Sequence, residues 1–171
     1  MTTEPMIIFD FRRPAEGQHW YSINDSVMGG LSTSGLQVED GRAVFAGFVS
    51  LENNGGFASV RTAAGAYDLG AYSGISLRVR GDGKTYKLNL RLDADFDGIN
   101  YRAVFPTTPD QWLTVRLPFS AFHPHFRGQQ LTAVAPLDPH HIVTFGLLIG
   151  DRQAGPFRLE IEWIGGYKEI L

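Results

Sequence analysis

The sequence contains no cysteine among its 171 residues. That absence excludes disulfide bonds, thiol nucleophiles, iron–sulfur clusters and thiolate zinc sites. The sequence also lacks an excess of positive charge, because 15 Lys and Arg stand against 18 Asp and Glu for a formal net charge of −3. Phosphate binding requires clustered cationic surface, so we expect no nucleic-acid partner. The longest apolar run, residues 142–149, is far shorter than the ~20 residues of a membrane-spanning helix, so we expect no membrane span.

Targeting signals are also missing from the amino terminus. Residues 1–5 have neither the basic and apolar regions of a secretory signal nor the Arg-rich amphipathic pattern of a transit peptide. A chain without cysteine suits a reducing compartment. We therefore expect a soluble, cytoplasmic protein, and a length of 171 residues predicts a single domain over residues 1–171.

Several short segments alternate apolar and polar residues with a period of two. Within residues 86–93, Tyr86 and Leu88 share one face, while Lys87, Asn89 and Arg91 share the other. Side chains of a strand point to alternate faces, so this pattern predicts strands with one buried side. Similar patterns occur at residues 75–80 and 157–163. Further candidate strands cover residues 6–11, 42–50, 57–62, 100–105, 111–117 and 141–149, the last of which is apolar on both faces and is expected at the middle of a sheet.

Turn residues support an all-β fold. The pair Asp40 and Gly41 separates two strand-like segments, and this pair favours a tight hairpin. Residues 81–84 are expected to form a second hairpin, and a single helical turn is expected after Pro118. No segment of about 10 residues has a helical period. Many short strands with frequent turns indicate two antiparallel sheets in a sandwich, or a barrel.

The first unusual segment is residues 20–32. Asn24 and Asp25 can hydrogen-bond to nearby backbone, and Gly29 and Gly30 permit backbone conformations closed to other residues. One interpretation is a scaffolding loop that caps the sandwich and is anchored by Trp20. The other is a binding loop, because loops carry function disproportionately.

The second unusual segment is residues 50–61. Asn53 and Asn54 precede two glycines, which would place amide donors and acceptors beside exposed backbone. Such a site could hold a polar ligand, although a simple turn between strands is the alternative. Arg61 lies on a strand among small or apolar residues, so it needs a partner. Asp25 is a candidate, and this pair would join the two segments.

The third segment carries carboxylates at alternate positions, Asp93, Asp95 and Asp97, followed by Gly98. This resembles the first half of a calcium loop, but Val104 stands at the twelfth position, where a bidentate Glu is expected. A solvated acidic hairpin loop is therefore our expectation, with calcium binding as the alternative.

Catalytic motifs are missing from the sequence. It contains no G-x-S-x-G elbow, no Walker loop and no dinucleotide fingerprint. Glu160 and Glu162 share a strand face and are expected to face water. We expect no catalytic residues, no cofactor and no resident metal, and a hydrolase is kept only as a third hypothesis.

The two glycine-rich segments, in this order, resemble the complex I intermediate-associated protein family. The resemblance covers about residues 7–166. It rests on residues 24–32, 45–47, 50–61, 101–105, 112, 117–119, 126–128 and 155–161.

The resemblance implies a galactose-binding-like jelly-roll sandwich, similar to carbohydrate-binding modules. Animal and fungal members of the family are assembly factors for mitochondrial respiratory complex I that hold immature subunits without catalysing a reaction, and related plastid proteins serve photosynthetic complexes. Without a transit peptide or a second domain, the sequence looks like a stand-alone bacterial-type member.

We therefore expect a non-catalytic protein-interaction module, an assembly factor for a membrane complex whose partners are protein subunits. The alternative is a carbohydrate or small polar ligand-binding module with a glycan partner, which would require exposed aromatic platforms. Trp20 is the candidate for exposure, whereas Trp112 and Trp163 are expected to be buried. The candidate binding residues are Asn24, Asp25, Met28, Gly29, Gly30, Asn53, Asn54, Arg61, Asn89, Arg91 and Tyr101.

Overall fold

Thirteen β-strands make up most of the regular structure in the part of the chain that the structure describes. The computed structural model describes residues 4–25, 29–95 and 97–170. The strands are β1 (Met6–Asp10), β2 (Trp20–Ser22), β3 (Thr33–Glu39), β4 (Arg42–Val49), β5 (Ala58–Thr62), β6 (Gly74–Arg80), β7 (Thr85–Arg91), β8 (Asn100–Pro106), β9 (Trp112–Pro118), β10 (His123–Phe126), β11 (Gln129–Gln130), β12 (Thr144–Ile149) and β13 (Gly155–Tyr167). Short 3₁₀ helices cover Pro14–His19, Glu52–Asn54, Phe119–Ala121 and Pro139–His141.

The strands form two antiparallel sheets. One has the order β3-β4-β13-β6-β9, and β1 also pairs with β13. The other has the order β11-β10-β8-β7-β12-β5-β2. Buried residues of both sheets belong to one hydrophobic cluster, so the sheets pack face to face as a sandwich. Within the described ranges, no helix is long and apolar enough to cross a membrane.

The core follows the alternation in the sequence. Tyr86, Leu88 and Leu90 of β7 are completely buried, as are the alternate residues of β6. Strand β12 lies between β7 and β5, in the middle of its sheet, as its two apolar faces predict. The inward face of the seven-stranded sheet is therefore dry, and the other face of β7 carries Lys87, Asn89 and Arg91.

One of the two expected hairpins forms. Asp40 and Gly41 have φ values of 52° and 78° and connect the paired strands β3 and β4. The prediction of a hairpin at residues 81–84 is wrong, because β6 and β7 belong to different sheets. This turn crosses the edge of the sandwich, where Asp82 accepts a hydrogen bond from the Tyr86 hydroxyl at 3.0 Å. The helical turn after Pro118 is confirmed as a 3₁₀ helix.

Glu160 does not face water, contrary to the sequence expectation. It lies on β13 between β4 and β6 and is 5% exposed. Its carboxylate accepts hydrogen bonds from Arg42 and from Arg80, whose Nε lies 2.5 Å from Oε2. The hydrogen bond from Arg80, reinforced by Arg42 against the opposing effect of burial, lowers the pKa of Glu160 to about 2.

The expected order of tryptophan exposure is also wrong. Trp20 is buried, and its ring lies 5.3 Å from the ring of Phe9 in the core. Trp112 and Trp163 are only partly buried. The guanidinium of Arg80 covers the Trp112 ring at 5.1 Å.

Candidate functional site

The two glycine-rich segments meet at the carboxylate of Asp25, which is completely buried. It accepts hydrogen bonds from the backbone N–H of Ser32 at 2.9 Å and from the Ser32 hydroxyl at 2.5 Å. It also accepts one from the backbone N–H of Gly56 at 2.7 Å. A single side chain therefore connects residues 20–32 to residues 50–61.

The glycines at this junction are required by close packing. A Cβ at Gly30 would lie 2.6 Å from Asp25 Oδ1, and one at Gly55 would lie 2.5 Å from Asp25 Oδ2. Burial alone would raise the pKa of Asp25, but the hydrogen bonds from Ser32 and Gly56 lower it below its ordinary value. Asp25 is thus an anion held by the backbone of both segments.

Asn24 has a similar internal role. Its Oδ1 accepts hydrogen bonds from the Ser34 hydroxyl at 2.6 Å and from the Ser59 N–H at 3.1 Å. Gly29 and Asn53 are exposed and have positive φ values of 86° and 54°. Met28 and the side chain of Asn54 lie outside the described residues.

The expected pair of Asp25 and Arg61 is wrong. Asp25 directs its carboxylate to Ser32 and Gly56, whereas Arg61 of β5 stands opposite Tyr21 of β2 in the strand pairing. Arg61 instead belongs to a groove on the outer face of the seven-stranded sheet.

This groove has a volume of about 840 Å³ and crosses strands β5, β12, β7 and β8. It is bordered by the Gly55–Gly56 segment and by the loops before β8 and after β12. Six cations and two carboxylates are found among its described lining residues: Arg61, Lys87, Arg91, Arg102, Arg127, Arg152, Asp97 and Asp151.

Strand register fixes the positions of the cations on the groove floor. Arg61 of β5 stands opposite Gly146 of β12, and Gly146 stands opposite Asn89 of β7. Asn89 in turn stands opposite Arg102 of β8. With neighbouring strands about 4.8 Å apart, the backbones at Arg61 and Arg102 are separated by about 14 Å. Gly146 has no side chain, so the row is open on the side of Asn89 that faces Arg61.

The polar side chains of the groove hold one another in place. Arg102 Nε donates to Asn89 Oδ1 at 2.8 Å. Lys87 Nζ lies 2.9 Å from Asp151 Oδ1 at the edge of the groove. These contacts fix the groove side chains before any partner arrives.

Burial perturbs two of the guanidinium groups. Loss of solvent, together with the nearby charge of Arg91, lowers the pKa of Arg61 below its ordinary value. Burial also lowers the pKa of Arg102. Arg91 itself is 1% exposed, and its Nη2 lies 3.6 Å from Asp93 Oδ1. The groove therefore holds partly desolvated cations close enough for their charges to repel one another.

Tyr101 is misplaced in the sequence-based site. It is 5% exposed on the core side of β8, and its hydroxyl donates to the carbonyl of Ala135 at 2.9 Å. Its neighbour Arg102 faces the groove instead. In the sequence, Tyr101 alternates with the apolar residues Ala103 and Phe105, and this pattern predicts that Tyr101 faces the core.

Sequence reasoning also missed other groove cations. Lys87 shares the polar face of β7 with Asn89 and Arg91, so the period-two pattern could have found it. Arg127 and Arg152 come from turns, where each has a positive φ, and no periodic signal marks them.

The acidic segment of Asp93, Asp95 and Asp97 packs beside the groove. Arg127 Nη2 lies 2.7 Å from Asp97 Oδ2, and Asp93 Oδ1 accepts from the Asp95 N–H at 3.0 Å. No group of three His, Asp or Glu that could hold a metal ion occurs within residues 4–25, 29–95 and 97–170. Two of these three carboxylates face arginines.

Comparison with known proteins gives the family. The family model described as Complex I intermediate-associated protein 30 matches residues 9–161. The chain belongs to the complex I intermediate-associated protein 30 family. This confirms the resemblance drawn from the glycine-rich segments.

Curated relatives in this family include proteins named complex I intermediate-associated protein 30, mitochondrial, from Drosophila melanogaster and Mus musculus. They are 26% and 27% identical to this chain, and each match covers 95% of it. The matches cover 62% and 56% of these relatives, so the chain spans little more than half of their length.

Solved structures establish the fold. A family 11 carbohydrate-binding module of a Clostridium thermocellum cellulase matches with a TM-score of 0.70 at 15% identity, over 98% of both chains. An agarase matches with a TM-score of 0.66 at 10% identity, over 99% of this chain and 25% of its own. The expected galactose-binding-like jelly-roll sandwich is confirmed.

Proposed function

We propose that the chain is a single, non-catalytic binding module that assists assembly of a membrane-bound respiratory or photosynthetic complex by holding its subunits. The observation that carries this proposal is the groove on the seven-stranded sheet, in which charged side chains from β5, β7 and β8 and from the neighbouring loops face one open surface. Family membership and the names of its relatives support protein subunits as the partners. A cytoplasmic location remains a prediction.

The chemistry of the groove favours binding over acid–base catalysis. Histidine is not among its described lining residues. Its two carboxylates, Asp97 and Asp151, pair with Arg127 and Lys87. A general base must be within reach of a substrate proton and must have an accessible lone pair, and these ion pairs compete with both requirements. We therefore propose that the groove binds a partner and does not transform it.

A carbohydrate-binding module is the second candidate, because one solved relative by fold is a family 11 module in complex with a β-1,3-1,4-mixed-linked tetrasaccharide. Sugar binding commonly uses aromatic platforms. Phe57 is the one aromatic residue among the described residues that line this groove. The groove composition therefore supports a protein partner better than a neutral glycan.

Affinity capture from native cells tests the proposal. We expect the tagged protein to recover a subunit of a respiratory or photosynthetic complex, identified by mass spectrometry. Arg61→Gln and Arg102→Gln should reduce that recovery at least tenfold, while both proteins keep the wild-type circular dichroism spectrum. Arg116→Gln is the matched control, since this exposed arginine lies on β9 of the opposite sheet. Equal recovery by all variants, or binding of a neutral glycan by the wild type, would contradict the proposal.

A further inference from the structure

We propose that the groove binds an extended, acidic segment of a partner polypeptide, through carboxylates that reach Arg61 at one side and Arg102 at the other. This inference rests on the proposed function and names the chemistry of the partner.

The first argument is the local charge. Six cations and two carboxylates are among the described lining residues, in a chain whose formal net charge is −3. The rest of the chain is therefore more acidic than its total charge indicates. A concave surface with an excess of one sign of charge attracts ligands of the opposite sign and raises their association rate. The groove is suited to an anionic ligand that the remaining surface would repel.

The second argument is the spacing of the strand positions that carry Arg61 and Arg102. Residues in an extended segment advance by about 3.3 Å each, so carboxylates at positions i and i+4 are about 13 Å apart. The backbones at Arg61 and Arg102 are about 14 Å apart across three strand intervals. Gly146 lies between them in the row, which gives the segment room to approach the sheet. Guanidinium groups bind carboxylates with two parallel hydrogen bonds, which favours this pairing.

The third argument is the mutual repulsion of the cations. The charge of Arg91 disfavours protonation of Arg61, and Arg91 is 1% exposed while Arg61 is half-buried. A carboxylate placed near this pair would interact favourably with both charges in a region of low dielectric. Arg91 Nη2 lies 3.6 Å from Asp93 Oδ1, and Arg61 stands opposite Tyr21 in the strand pairing, so both arginines have neighbours that restrict their side chains.

The fourth argument distinguishes a polypeptide from other polyanions. Single-stranded nucleic acids are bound by grooves that combine cations with several stacking platforms. Phe57 is the sole aromatic side chain among the groove residues that the structure describes. Asn89 and Asn100 also line the groove, and an amide NH₂ group can donate to a backbone carbonyl of an extended peptide. These features favour an acidic polypeptide.

Fluorescence anisotropy with defined peptides tests this inference on the full chain. One labelled nine-residue peptide carries glutamate at its first, fifth and ninth positions, separated by serine and threonine. A matched peptide carries glutamine at those positions. We expect the glutamate peptide to bind at least tenfold more tightly at low salt, with an affinity that falls as sodium chloride increases.

Variants place the peptide in the groove. Arg61→Gln and Arg102→Gln should each weaken binding of the glutamate peptide about tenfold, while Arg102→Lys should retain part of the affinity because it keeps the charge. Arg116→Gln should bind like the wild type. Thermal unfolding of each variant, followed by circular dichroism, excludes loss of fold as the cause of weaker binding.

Several outcomes would overturn the inference. These are equal affinity for the two peptides, equal weakening by Arg116→Gln, or tighter groove-dependent binding of a single-stranded oligonucleotide or an acidic oligosaccharide. If the groove variants lose subunit recovery from cells but the glutamate and glutamine peptides bind with equal affinity, the proposal of an acidic partner segment is refuted and the proposed function stands. If the groove variants lose affinity for the glutamate peptide but still recover the subunit, the proposed function is refuted and the proposal that the groove binds an acidic segment stands.

Discussion

Glu160→Gln should remove a strongly pH-dependent part of the stability. The pKa of Glu160 falls from 4.5 to about 2 in the folded protein, mainly because Arg80 and Arg42 donate to it. At 1.36 kcal/mol per unit, this shift corresponds to about 3 kcal/mol of stabilisation at neutral pH. The folded pKa is the lower one, so this contribution is complete above pH 4.5 and is lost as the pH falls through about 2. At pH 3 about 1 kcal/mol should remain.

Urea unfolding of the wild type and Glu160→Gln at pH 7, 4.5 and 3 measures this effect. With an m-value of about 2 kcal/mol/M, the variant midpoint at pH 7 should be lower by about 1.5 M. Glu162→Gln is the matched control on the same strand, and it should change stability by less than about 0.5 kcal/mol. A difference between wild type and Glu160→Gln that stays constant from pH 7 to pH 3 would refute the reasoning.

Two further predictions concern the junction of the glycine-rich segments. Asp25→Asn should lower stability by about 3 kcal/mol in thermal unfolding, because an amide cannot accept all the hydrogen bonds that the carboxylate takes from Ser32 and Gly56. A change below about 0.5 kcal/mol would show that the buried charge does not hold the segments together. Gly55→Ala should cost about 2 kcal/mol through overpacking, whereas Gly35→Ala, with open space around it, should be nearly neutral by the same assay. Equal effects of the two alanines would contradict the close packing at Asp25.

The strands could be predicted from the sequence because their signal is local. Alternation along residues 86–93 identifies both the strand and its buried side, as the complete burial of Tyr86 and Leu88 confirms. Choice of partner strand is not local. The residues at 81–84 have the turn chemistry of a hairpin, yet β6 and β7 pair in different sheets. Contacts such as Asp82 with Arg158, 76 positions apart, decide where the chain goes next.

The candidate site, like the strand pairing, depends on non-local contacts that the sequence does not show. Polar residues in the glycine-rich segments looked available for a ligand, but Asn24 and Asp25 accept hydrogen bonds from the distant backbone of Ser59 and Gly56. A sequence cannot show whether a polar side chain is satisfied inside the fold. The groove residues Arg61, Asn89 and Arg91 were found because they interrupt or share regular strand patterns. The spatial convergence of their charge depends on the order of strands in the sheet.

Strand β13 has a consequence for folding during synthesis. It pairs with β4, β6 and β1, so it supplies the centre of the six-stranded sheet although it is the last of the described strands. Until residues 155–167 leave the ribosome, β4 and β6 each have an open edge able to pair with another chain. Productive folding should therefore be slow and non-local, and nascent chains halted before β13 should depend on chaperones that shield strand edges.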